Sequence, residues 1–423
     1  MRRLLIAGTV LVTVLLAGAA LYLRLDTPPG WGPRHAPSGE PRIVFAPDMP
    51  FADYLTAAAD LAETVNARRR APFTPDDLAW RLPFAFEPNE PCADDGARGG
   101  ILMVHGLTDS PATMRSLGRR LARACFHVRA IALPGHGTAP GELTWATVEE
   151  WLAAVRYGLN SFQGVASPVF GVGLSTGAGL LYAHLLETAG DATIPLAGLV
   201  ALSPGTEGPR GLSPWTVRLA KMSWLTPRGR YPDGVYPDRN PGRYQGSPQP
   251  ALYQYLRLQK RLGDPSTGQR LSVPSLFVMS IDDLTVPPDK VMTFFCERLT
   301  GPKRFLLLNG RDDQRQCADI ETMSAAAPDV REVAHAAVPN APDHPVFGRQ
   351  GFVDCRHYWP VDRNAWHRCK SSSLSDPNVV FGNPIPANSE RFILRQSSFN
   401  PAFTPMADRI VSFLQGVASP EEL

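Results

Sequence analysis

The chain has 423 residues and a formal net charge of +2, and 44% of its residues are apolar while 19% are charged. These values are typical of an ordinary globular protein. So small a net charge argues against nucleic acid or a strongly acidic surface as a partner. The 42 prolines, about twice the average usage, predict long irregular connections packed around the core.

The first 26 residues contain an uncharged apolar run, Leu4 to Leu23, behind Arg2 and Arg3. The run is long enough to span a bilayer, so it predicts an uncleaved membrane anchor over residues 1–26. A cleaved signal peptide, with a weak small-residue site at Ala17-Gly18-Ala19, is the alternative. The arginines place the N-terminus in the cytoplasm. We therefore expect the rest of the chain on the extracytoplasmic side, periplasmic in a Gram-negative cell, or secreted if the segment is cleaved.

The six cysteines can form disulfides in an exported chain, and we expect one bridge between Cys355 and Cys369. Cys125 ends an apolar helix and is predicted to be a buried free thiol. The sequence contains no Cys-x-x-Cys and no His/Cys ligand spacing, so we expect neither a metal site nor another cofactor.

Residues 27–95 are predicted to form a proline-rich tether and an N-terminal extension. The extension holds a helix, Ala52 to Arg70, and a first antiparallel strand, Leu82 to Phe86. Short apolar runs then alternate with amphipathic helices, which predicts a mostly parallel sheet with helices on both faces. The predicted parallel strands are Ile101 to Val104, Val128 to Leu133, the run that begins at Pro168, Leu196 to Leu202, Ser275 to Met279, and Phe305 to Leu308.

Two stretches interrupt this alternation. Residues 205–270 are rich in aromatic residues, proline and glycine, and are predicted to form an inserted cap with one helix, Ala251 to Leu262. Residues 339–400 are predicted to be an irregular insertion, followed by a last amphipathic helix within 401–423. The predicted core therefore has two parts, 96–204 and 271–338.

Three glycine-containing motifs follow predicted strands of the core. The motif Gly173-Leu174-Ser175-Thr176-Gly177 is preceded by an apolar run and followed by a run that is compatible with a helix. That spacing is typical of a nucleophile elbow, in which glycines are needed because a side chain would collide with the neighbouring strand or helix. The other two motifs are His105-Gly106-Leu107 and Pro134-Gly135-His136-Gly137.

With these motifs in register, the chain resembles the α/β-hydrolase family, in particular its cap-bearing esterases, lysophospholipases and monoacylglycerol lipases. The resemblance covers about residues 99–204 and 271–336, together with the final helix. It implies an α/β-hydrolase fold and a chain order of nucleophile, acid and histidine, each placed after a strand. Ser175 takes the position of the nucleophile.

Asp283 is predicted to be the acid, since it follows the strand at 275–279 and precedes Val286-Pro287 in the spacing usual for the family. Its role would be to fix the tautomer of the histidine and to stabilise the imidazolium. Asp282 is the adjacent alternative. We favour Asp283 because one step along a turn points a side chain elsewhere.

His335 is predicted to be the base. It ends a strand-like alternation, Val330 to His335, and small residues around it leave room for a substrate. The spacing departs from the family, because Phe305 to Leu308 already resembles the strand that should precede the histidine. Either a segment is inserted at 310–329 or the strand assignment is off by one. The alternative histidines are His344, His357 and His367.

The resemblance also implies an oxyanion hole, made by the backbone N–H groups of Leu107 and Thr176. His105 and His136 are expected to be structural members of their motifs, which hold loops by hydrogen bonds rather than transfer protons.

The sequence thus predicts a membrane-anchored serine hydrolase that cleaves carboxylic esters through an acyl-enzyme on Ser175. The expected partner is a small-molecule or lipid ester, and the predicted anchor favours a lysophospholipid or a monoacylglycerol. The same triad serves thioesterases, amidases, peptidases and transacylases, which the motifs do not separate. A catalytically silent, membrane-anchored binding protein is the alternative from a different class.

Overall fold

An eight-stranded sheet organises the fold. Its strands, numbered along the chain, are β1 Phe84–Phe86, β2 Gly100–Val104, β3 His127–Ile131, β4 Val169–Leu174, β5 Leu196–Leu202, β6 Ser275–Ser280, β7 Lys303–Leu308 and β8 Ile320–Met323. In space they follow the order β1-β3-β2-β4-β5-β6-β7-β8. All neighbours are parallel except β1 with β3. This is the mostly parallel sheet that the sequence predicted, with its antiparallel first strand at one edge.

The structure is a computed structural model. It describes residues 2–26, 31–68, 73–88, 92, 96–188, 196–206, 208, 231, 236, 239–262, 270–383 and 392–418. Within residues 2–7 and 22–26 only the backbone is described. The predicted cap at 205–270 therefore lies largely outside the described residues.

Helices cover both faces of the sheet, as predicted. The α-helices of the described residues, whether or not they contact the sheet, are α1 Arg2–Asp26, α2 Phe51–Ala67, α3 Pro75–Ala79, α4 Arg115–Ala122, α5 Val148–Asn160, α6 Thr176–Glu187, α7 Gln249–Arg261, α8 Pro288–Arg298, α9 Arg363–Ser371 and α10 Phe403–Ala418. The helices α5, α6 and α8 bury side chains in the core on one face. The helices α4 and α10 do so on the other face.

Strand β2 explains why the central strands appear in the sequence as continuous apolar runs. Ile101 and Met103 pack into the core shared with α4 and α10, whereas Leu102 and Val104 pack into the opposite core. All four side chains are 0% exposed. Side chains alternate between the two faces of a strand, and here both faces are covered by helices. Each of these side chains therefore contributes roughly 1.5–3 kcal/mol through burial.

Helix α5 begins at the capping box that its sequence predicts. The hydroxyl oxygen of Thr147 accepts the N–H of Glu150 at 3.3 Å, and the Glu150 carboxylate accepts the N–H of Thr147 at 2.8 Å. This reciprocal pair satisfies two donors that the first turn of a helix leaves unpaired. Trp151 and Val155 then lie on the buried face of the helix.

At its far edge the sheet extends one strand beyond the prediction. Strand β7 contains the predicted run Phe305 to Leu308. Residues 310–329 then hold β8, which pairs in parallel with β7, so that Ile320 lies opposite Phe305. Of the two explanations for the late position of the histidine, the inserted segment is therefore the right one.

The predicted strand Val330 to His335 is wrong. Val330 makes isolated bridges, one of them to Phe381, and His335 begins a short 3₁₀ turn. Val333 and Ala334 are buried in the core next to α10, whereas their neighbours toward the N-terminus are more exposed. The alternation thus comes from a loop that packs on the core rather than from strand pairing.

The predicted irregular insertion, residues 339–400, also contains regular structure. Besides α9 it holds a small sheet of two parallel strands, β9 Val379–Gly382 and β10 Ile393–Gln396. Phe381 of β9 packs on Phe399, with 5.0 Å between their ring centroids, and both contact Val330 in a small separate core. This core joins the insertion to the loop that carries His335.

Three disulfides cross-link the described chain, Cys92–Cys125, Cys296–Cys317 and Cys355–Cys369. The bridge that the sequence predicted, Cys355–Cys369, is confirmed. The prediction of a free thiol at Cys125 is wrong, because this residue is bonded to Cys92, with 5.4 Å between the two Cα atoms. The N–H of Arg98 donates to the carbonyl of Cys125 at 2.8 Å. The segment before β2 therefore runs beside the turn after α4, which brings the two cysteines together.

Helix α1 contains the predicted anchor, Leu4 to Leu23. The run extends beyond the residues whose side chains are described, at both of its ends. Within the described part of the chain, no helix combines the length and the apolar character that crossing a membrane requires. The structure thus gives no support to the anchor.

The described part of the predicted tether, residues 31–50, lies against the core. Phe45 packs on Tyr54 and Tyr157, with ring centroids 5.8 and 5.2 Å apart. Ile43 contacts the same core. Over these residues the segment is packed on the domain rather than extended away from it.

The described part of the predicted cap includes α7, which packs against α5 and α6. Ala251 and Leu258 are its fully buried apolar residues. On the exposed side, Arg257 and Arg261 pair with Glu149 at 2.6 and 2.5 Å. The helix of the cap is thereby fixed beside the helix that follows Ser175.

Candidate active site

Ser175 stands on a sharp turn between β4 and α6. Its φ of 51° and ψ of −115° lie in a region that residues other than glycine rarely adopt. The N–H of Ser175 donates to the carbonyl of Leu202 at 2.9 Å, and the N–H of Gly205 donates to the carbonyl of Ser175 at 2.9 Å. These bonds to the end of β5 hold the strained turn in the form of a nucleophile elbow.

The two glycines of the motif are required by close approaches. A Cβ atom at Gly173 would lie 2.5 Å from the Cα atom of Ala178. A Cβ atom at Gly177 would overlap the carbonyl oxygen of Val104 and lie 2.7 Å from that of His105. These are the collisions with neighbouring strand and helix that the sequence predicted.

Asp283 lies in the turn after β6, and its side chain is 0% exposed. One carboxylate oxygen accepts the backbone N–H groups of Thr285 at 2.8 Å and Val286 at 3.0 Å. The other oxygen lies 2.6 Å from Nδ1 of His335. Hydrogen bonds from two N–H groups and an imidazole favour the charged carboxylate and offset the cost of its burial.

Asp282, the adjacent alternative, points to different partners. Its Oδ2 accepts the side-chain amide of Asn309 at 3.0 Å and the backbone N–H of Val333 at 3.5 Å. Asn309 also accepts the N–H of Ala325 at 2.8 Å. Asp282 thus ties the end of β7 to the loop that carries the histidine, rather than contacting the imidazole.

His335 lies at the start of its 3₁₀ turn, and its side chain is 14% exposed. The hydroxyl of Ser203 donates to the carbonyl of His335 at 3.0 Å and fixes its backbone. Because ionised Asp283 only accepts hydrogen bonds, Nδ1 carries a proton and donates it to that carboxylate. In the neutral ring Nε2 is then the free base.

A cavity of about 520 Å³ opens at the carboxyl edge of the sheet. Ser175 and His335 both line it, and so do Leu107 and Thr176, whose backbone N–H groups were predicted to bind an oxyanion. The volume lies in the range of small-molecule sites, about 300–1,000 Å³. Residues from the cap, from the β6 turn and from the insertion complete its wall, among them Leu252, Tyr255, Leu284, Asn383 and Ser397.

The alternative histidines lie elsewhere, and none of them lines this cavity. His344 is buried, and its Nε2–H donates to the carbonyl of Ala112 at 3.1 Å while Nδ1 accepts two backbone N–H groups. Burial lowers the pKa of His344 to about 4. Burial likewise lowers the pKa of His357 to about 4, and His367 is exposed. The structure therefore places His335 at the site and not its alternatives.

His105 and His136 hold loops, as the sequence predicted. Nε2 of His105 accepts the N–H of Leu133 at 3.0 Å, and Nδ1 lies 2.8 Å from the carbonyl of Gly106. Burial keeps the pKa of His105 well below its usual value, and that of His136 falls to about 4 for the same reason. Both rings are thus neutral; His105 joins the loops that follow β2 and β3, whereas Nδ1 of His136 lies 3.2 Å from the carbonyls of Leu133 and Pro134 in its own loop.

Sequence reasoning missed Asp109 and Arg243, two buried charged residues that also line the cavity. Asp109 follows the His-Gly motif by three residues, and burial raises the pKa of its carboxyl to about 6. Arg243 comes from the predicted cap. The proximity of Asp109 to a sequence motif was the one available signal, since no pattern marks Arg243.

Within the described residues, no group of three or more His, Cys, Asp or Glu side chains is arranged to hold a metal ion. The side chains with the reactivity to act on a substrate in this cavity are a serine on a strained turn and a carboxylate-linked imidazole. Such an arrangement is suited to nucleophilic acyl transfer.

Comparison with known families agrees with this geometry. The sequence profile of the alpha/beta hydrolase family matches residues 101–367, well over half of the chain. The chain belongs to the alpha/beta hydrolase family.

Individual proteins that the chain resembles share less than a third of its residues over the aligned region. The thermostable monoacylglycerol lipase of Bacillus sp. (strain H-257) is 29% identical over 214 residues, which cover 49% of this chain and 79% of that protein. A solved structure from a study of LipS and LipT, two metagenome-derived lipolytic enzymes, is 23% identical, covers 54% of this chain and 86% of its own, and has a TM-score of 0.43. The solved structure of the monoacylglycerol lipase of Paleococcus ferrophilus is 20% identical, covers 60% of this chain and 89% of its own, and has a TM-score of 0.41.

Proposed function

We propose that this protein is a serine hydrolase that cleaves carboxylic esters through an acyl-enzyme on Ser175, with His335 as base and Asp283 as its orienting acid. The coarser statement, that the chain is an ester-hydrolysing enzyme of the alpha/beta hydrolase class, rests on the family match and on its lipase relative. The observation that carries the proposal is the 2.6 Å contact between His335 and Asp283 at the cavity that Ser175 lines.

Acylation begins when Nε2 of His335 removes the proton of the Ser175 hydroxyl. The oxygen then forms a bond to the ester carbonyl carbon, and the tetrahedral intermediate collapses as the alcohol leaves with the proton from His335. Asp283 stays ionised and stabilises the imidazolium that forms between these two proton transfers. Its two backbone donors keep it in place while the charge on the ring changes.

Deacylation repeats the same steps with water. His335 removes a proton from the water molecule, whose oxygen attacks the acyl carbon. The second tetrahedral intermediate then collapses and releases the acid, while His335 returns the proton to the oxygen of Ser175.

The negative charge on the carbonyl oxygen needs donors that are in place before the reaction. The N–H of Thr176 lies at the N-terminus of α6, where the helix dipole favours negative charge. The N–H of Leu107 belongs to the loop after β2, which His105 braces against β3. Such preorganised donors contribute about 3–4 kcal/mol each to transition-state stabilisation.

A lipid-like ester, such as a monoacylglycerol or lysophospholipid, is one proposed substrate class. The Bacillus relative is a monoacylglycerol lipase, and Leu252, Tyr255 and Val286 offer the cavity apolar surface for an acyl chain. The triad alone permits thioester or amide cleavage and acyl transfer as well.

An extracytoplasmic location is part of the proposal. Disulfides are rare in the reducing cytoplasm, and the described chain holds three of them. The apolar segment within residues 1–26 would direct export, either as an anchor or as a cleaved signal.

Turnover of 4-nitrophenyl butyrate by purified variants tests the proposed function. We expect Ser175→Ala and His335→Ala each to lower kcat by at least about 10⁴-fold while the circular dichroism spectrum and melting temperature stay close to the parent values. His367→Ala and Asp289→Asn, which change exposed residues away from the cavity, serve as matched controls and should retain activity. A Ser175→Ala variant that hydrolyses the ester at the parent rate would refute the mechanism.

A further inference from the structure

Two arginines line the cavity, one from each of the two stretches that interrupt the core pattern. Arg243 belongs to the predicted cap, and Arg356 belongs to the insertion at 339–400. Arg243 is 7% exposed. Among the described residues, its Nε and one of its terminal nitrogens have no hydrogen-bond partner. A buried guanidinium with unused donors is costly unless a ligand supplies acceptors.

The position of Arg243 is fixed by the backbone around it. The side-chain oxygen of buried Asn240 accepts the N–H of Arg243 at 3.2 Å. The N–H of Tyr244 donates to the carbonyl of Thr108 at 2.7 Å, and Ser110 donates to the carbonyl of Gly242. Both neighbours of Arg243 are thus bonded to the loop after β2, the loop that holds the N–H of Leu107. The backbone of Arg243 is therefore fixed, and its guanidinium lies over the ring of Phe347, 5.1 Å from the centroid, at the cavity that Ser175 also lines.

The nearby carboxylates do not use the free donors of Arg243. Asp109 accepts the N–H of Ser110 and the hydroxyl of Thr113, each at 2.9 Å, so both of its oxygens are engaged. Asp354, whose side chain is 1% exposed, accepts the backbone N–H of Arg356 at 3.3 Å and lies 3.5 Å from Nε of the same residue; it thus pairs with Arg356 but does not line the cavity. Arg356 in turn donates from Nε to Gln396 at 2.9 Å. The cavity lining therefore holds two guanidinium groups and the carboxylate of Asp109, while Asp354 pairs with Arg356 from outside the lining.

We propose that Arg243 and Arg356 form an anion-binding subsite beside Ser175, which binds a carboxylate or phosphate group carried by the ester substrate. This arginine subsite rests on the proposed hydrolase function and narrows its substrate class to negatively charged esters. Guanidinium groups match the planar and tetrahedral oxygens of these anions with paired N–H donors. The apolar part of the cavity then holds the acyl or alkyl portion of the same molecule.

Two matched substrate pairs test the arginine subsite. The first pair is 4-nitrophenyl hexanoate and mono-4-nitrophenyl adipate, which carries a carboxylate at the far end of the acyl chain. The second pair is 1-butyrylglycerol and 1-butyrylglycerol 3-phosphate, which carries a phosphate on the alcohol side. The measured quantity is the ratio of kcat/KM for the charged ester over its neutral partner, after subtraction of spontaneous hydrolysis. Because both esters are assayed on one enzyme sample, this ratio does not depend on the fraction that is correctly folded.

We expect Arg243→Gln to lower the ratio by about 10- to 100-fold in at least one pair, in line with the loss of a charge-assisted bidentate contact. Arg356→Gln should lower it by about 3- to 10-fold, and Arg243→Lys should restore part of the loss. Arg409→Gln is the matched control, since Arg409 is exposed on α10 and pairs with Glu321. The pair that responds shows whether the anion lies on the acyl side or on the alcohol side.

A ratio that Arg243→Gln changes by less than twofold in both pairs would overturn the arginine subsite. Calorimetric titration with 1-O-butylglycerol 3-phosphate, an ether that cannot be hydrolysed, separates this failure from failure of the proposed function. Binding that depends on Arg243 in a protein that hydrolyses no ester would keep the subsite and refute the hydrolase. Turnover of neutral esters with neither anion preference nor ether binding would keep the hydrolase and refute the subsite.

Discussion

The two halves of the site are built in different ways. The nucleophile half, residues 100–188, is set by tight backbone packing: Ser175 has a positive φ, Gly173 lies against the backbone of Ala178, and Gly177 lies against the backbone of Val104 and His105. The acid–base half, residues 271–383, is set by contacts between distant segments. Asp282 reaches 51 residues along the chain to Val333, and Asp283 reaches 52 residues to His335.

Because of this difference, we expect the two halves to respond differently to amino-acid substitution. At Gly173 and Gly177 of the nucleophile half an added methyl group would overlap neighbouring atoms, and these atoms belong to backbone. In the acid–base half the loop that carries His335 has no strand ladder to hold it, and individual side-chain bonds place it instead. We therefore expect steric substitutions to damage the first half and removal of single hydrogen bonds to damage the second.

The largest expected effect separates the two adjacent aspartates of the acid–base half. Asp283→Asn should lower kcat by about 10⁴-fold, because an amide no longer fixes the tautomer of His335 or stabilises its charge. Asp282→Asn should lower kcat by roughly tenfold, because it only loosens the loop through Val333 and Asn309. Steady-state kinetics on 4-nitrophenyl butyrate measures both effects. A larger loss in Asp282→Asn than in Asp283→Asn would reverse the assignment of the acid.

The second prediction concerns the nucleophile half. Gly177→Ala should lower kcat by at least about 100-fold, because a Cβ that overlaps the Val104 carbonyl forces Ser175 away from its present position. The same overlap should lower the free energy of unfolding by about 3 kcal/mol, which urea denaturation measures.

Gly179→Ala is the matched control for that substitution. It lies one helical residue beyond Ala178 in α6, and its Cβ would lie 3.2 Å from the carbonyl oxygen of Gly205 and from the Leu258 side chain, its nearest neighbours outside the helix backbone. We expect a change of less than about 1 kcal/mol in the free energy of unfolding. If the two substitutions proved equally mild, the close approach at Gly177 would not be what holds the turn.

The smallest expected effect concerns a contact between the insertion and the nucleophile half, His344 with Ala112. The pKa of His344 is lowered to about 4, so the unfolded chain binds a proton near its ordinary value of 6.5 before the folded chain does. The wild type therefore loses stability as pH falls from about 6.5 to 4, by about 3 kcal/mol at most from this residue. His344→Asn removes that contribution.

We expect His344→Asn to be less stable than the wild type at pH 7.5, because the bond to the Ala112 carbonyl is lost. Urea denaturation measures the free energy of unfolding of both proteins. The difference between them should narrow by about 2–3 kcal/mol when the measurement is made at pH 4.5 instead of pH 7.5. A difference in free energy of unfolding that stays constant from pH 7.5 to 4.5 would show that His344 has the same pKa in the folded and unfolded chains.

The sequence predicted the parts of the fold that short segments specify. The capping box at Thr147 and the central strand β2 each depend on residues within a few positions of one another, and the motif of the elbow around Ser175 lies within residues 173–177. Helices on both faces of the sheet made β2 a continuous apolar run, so it was recognisable without knowledge of its neighbours.

The parts that depend on distant contacts were not predictable in the same way. Six cysteines allow fifteen pairings, and only the return of the chain beside α4 joins Cys92 to Cys125. Burial of Val333 against α10 produced an alternation that resembles a strand. The role inferred for Arg243 depends on a cap segment that pairs with the loop after β2, which no local pattern encodes.

Covalent trapping of the nucleophile tests whether Ser175 is the serine that His335 activates. The purified protein would be incubated with a fluorophosphonate, which phosphonylates an activated serine, and the modified residue located by mass spectrometry of its peptides. We expect one adduct at Ser175, absent in Ser175→Ala and formed at least about 100-fold more slowly in His335→Ala. An unmodified Ser175 in the folded protein, or an adduct on a different serine, would contradict it.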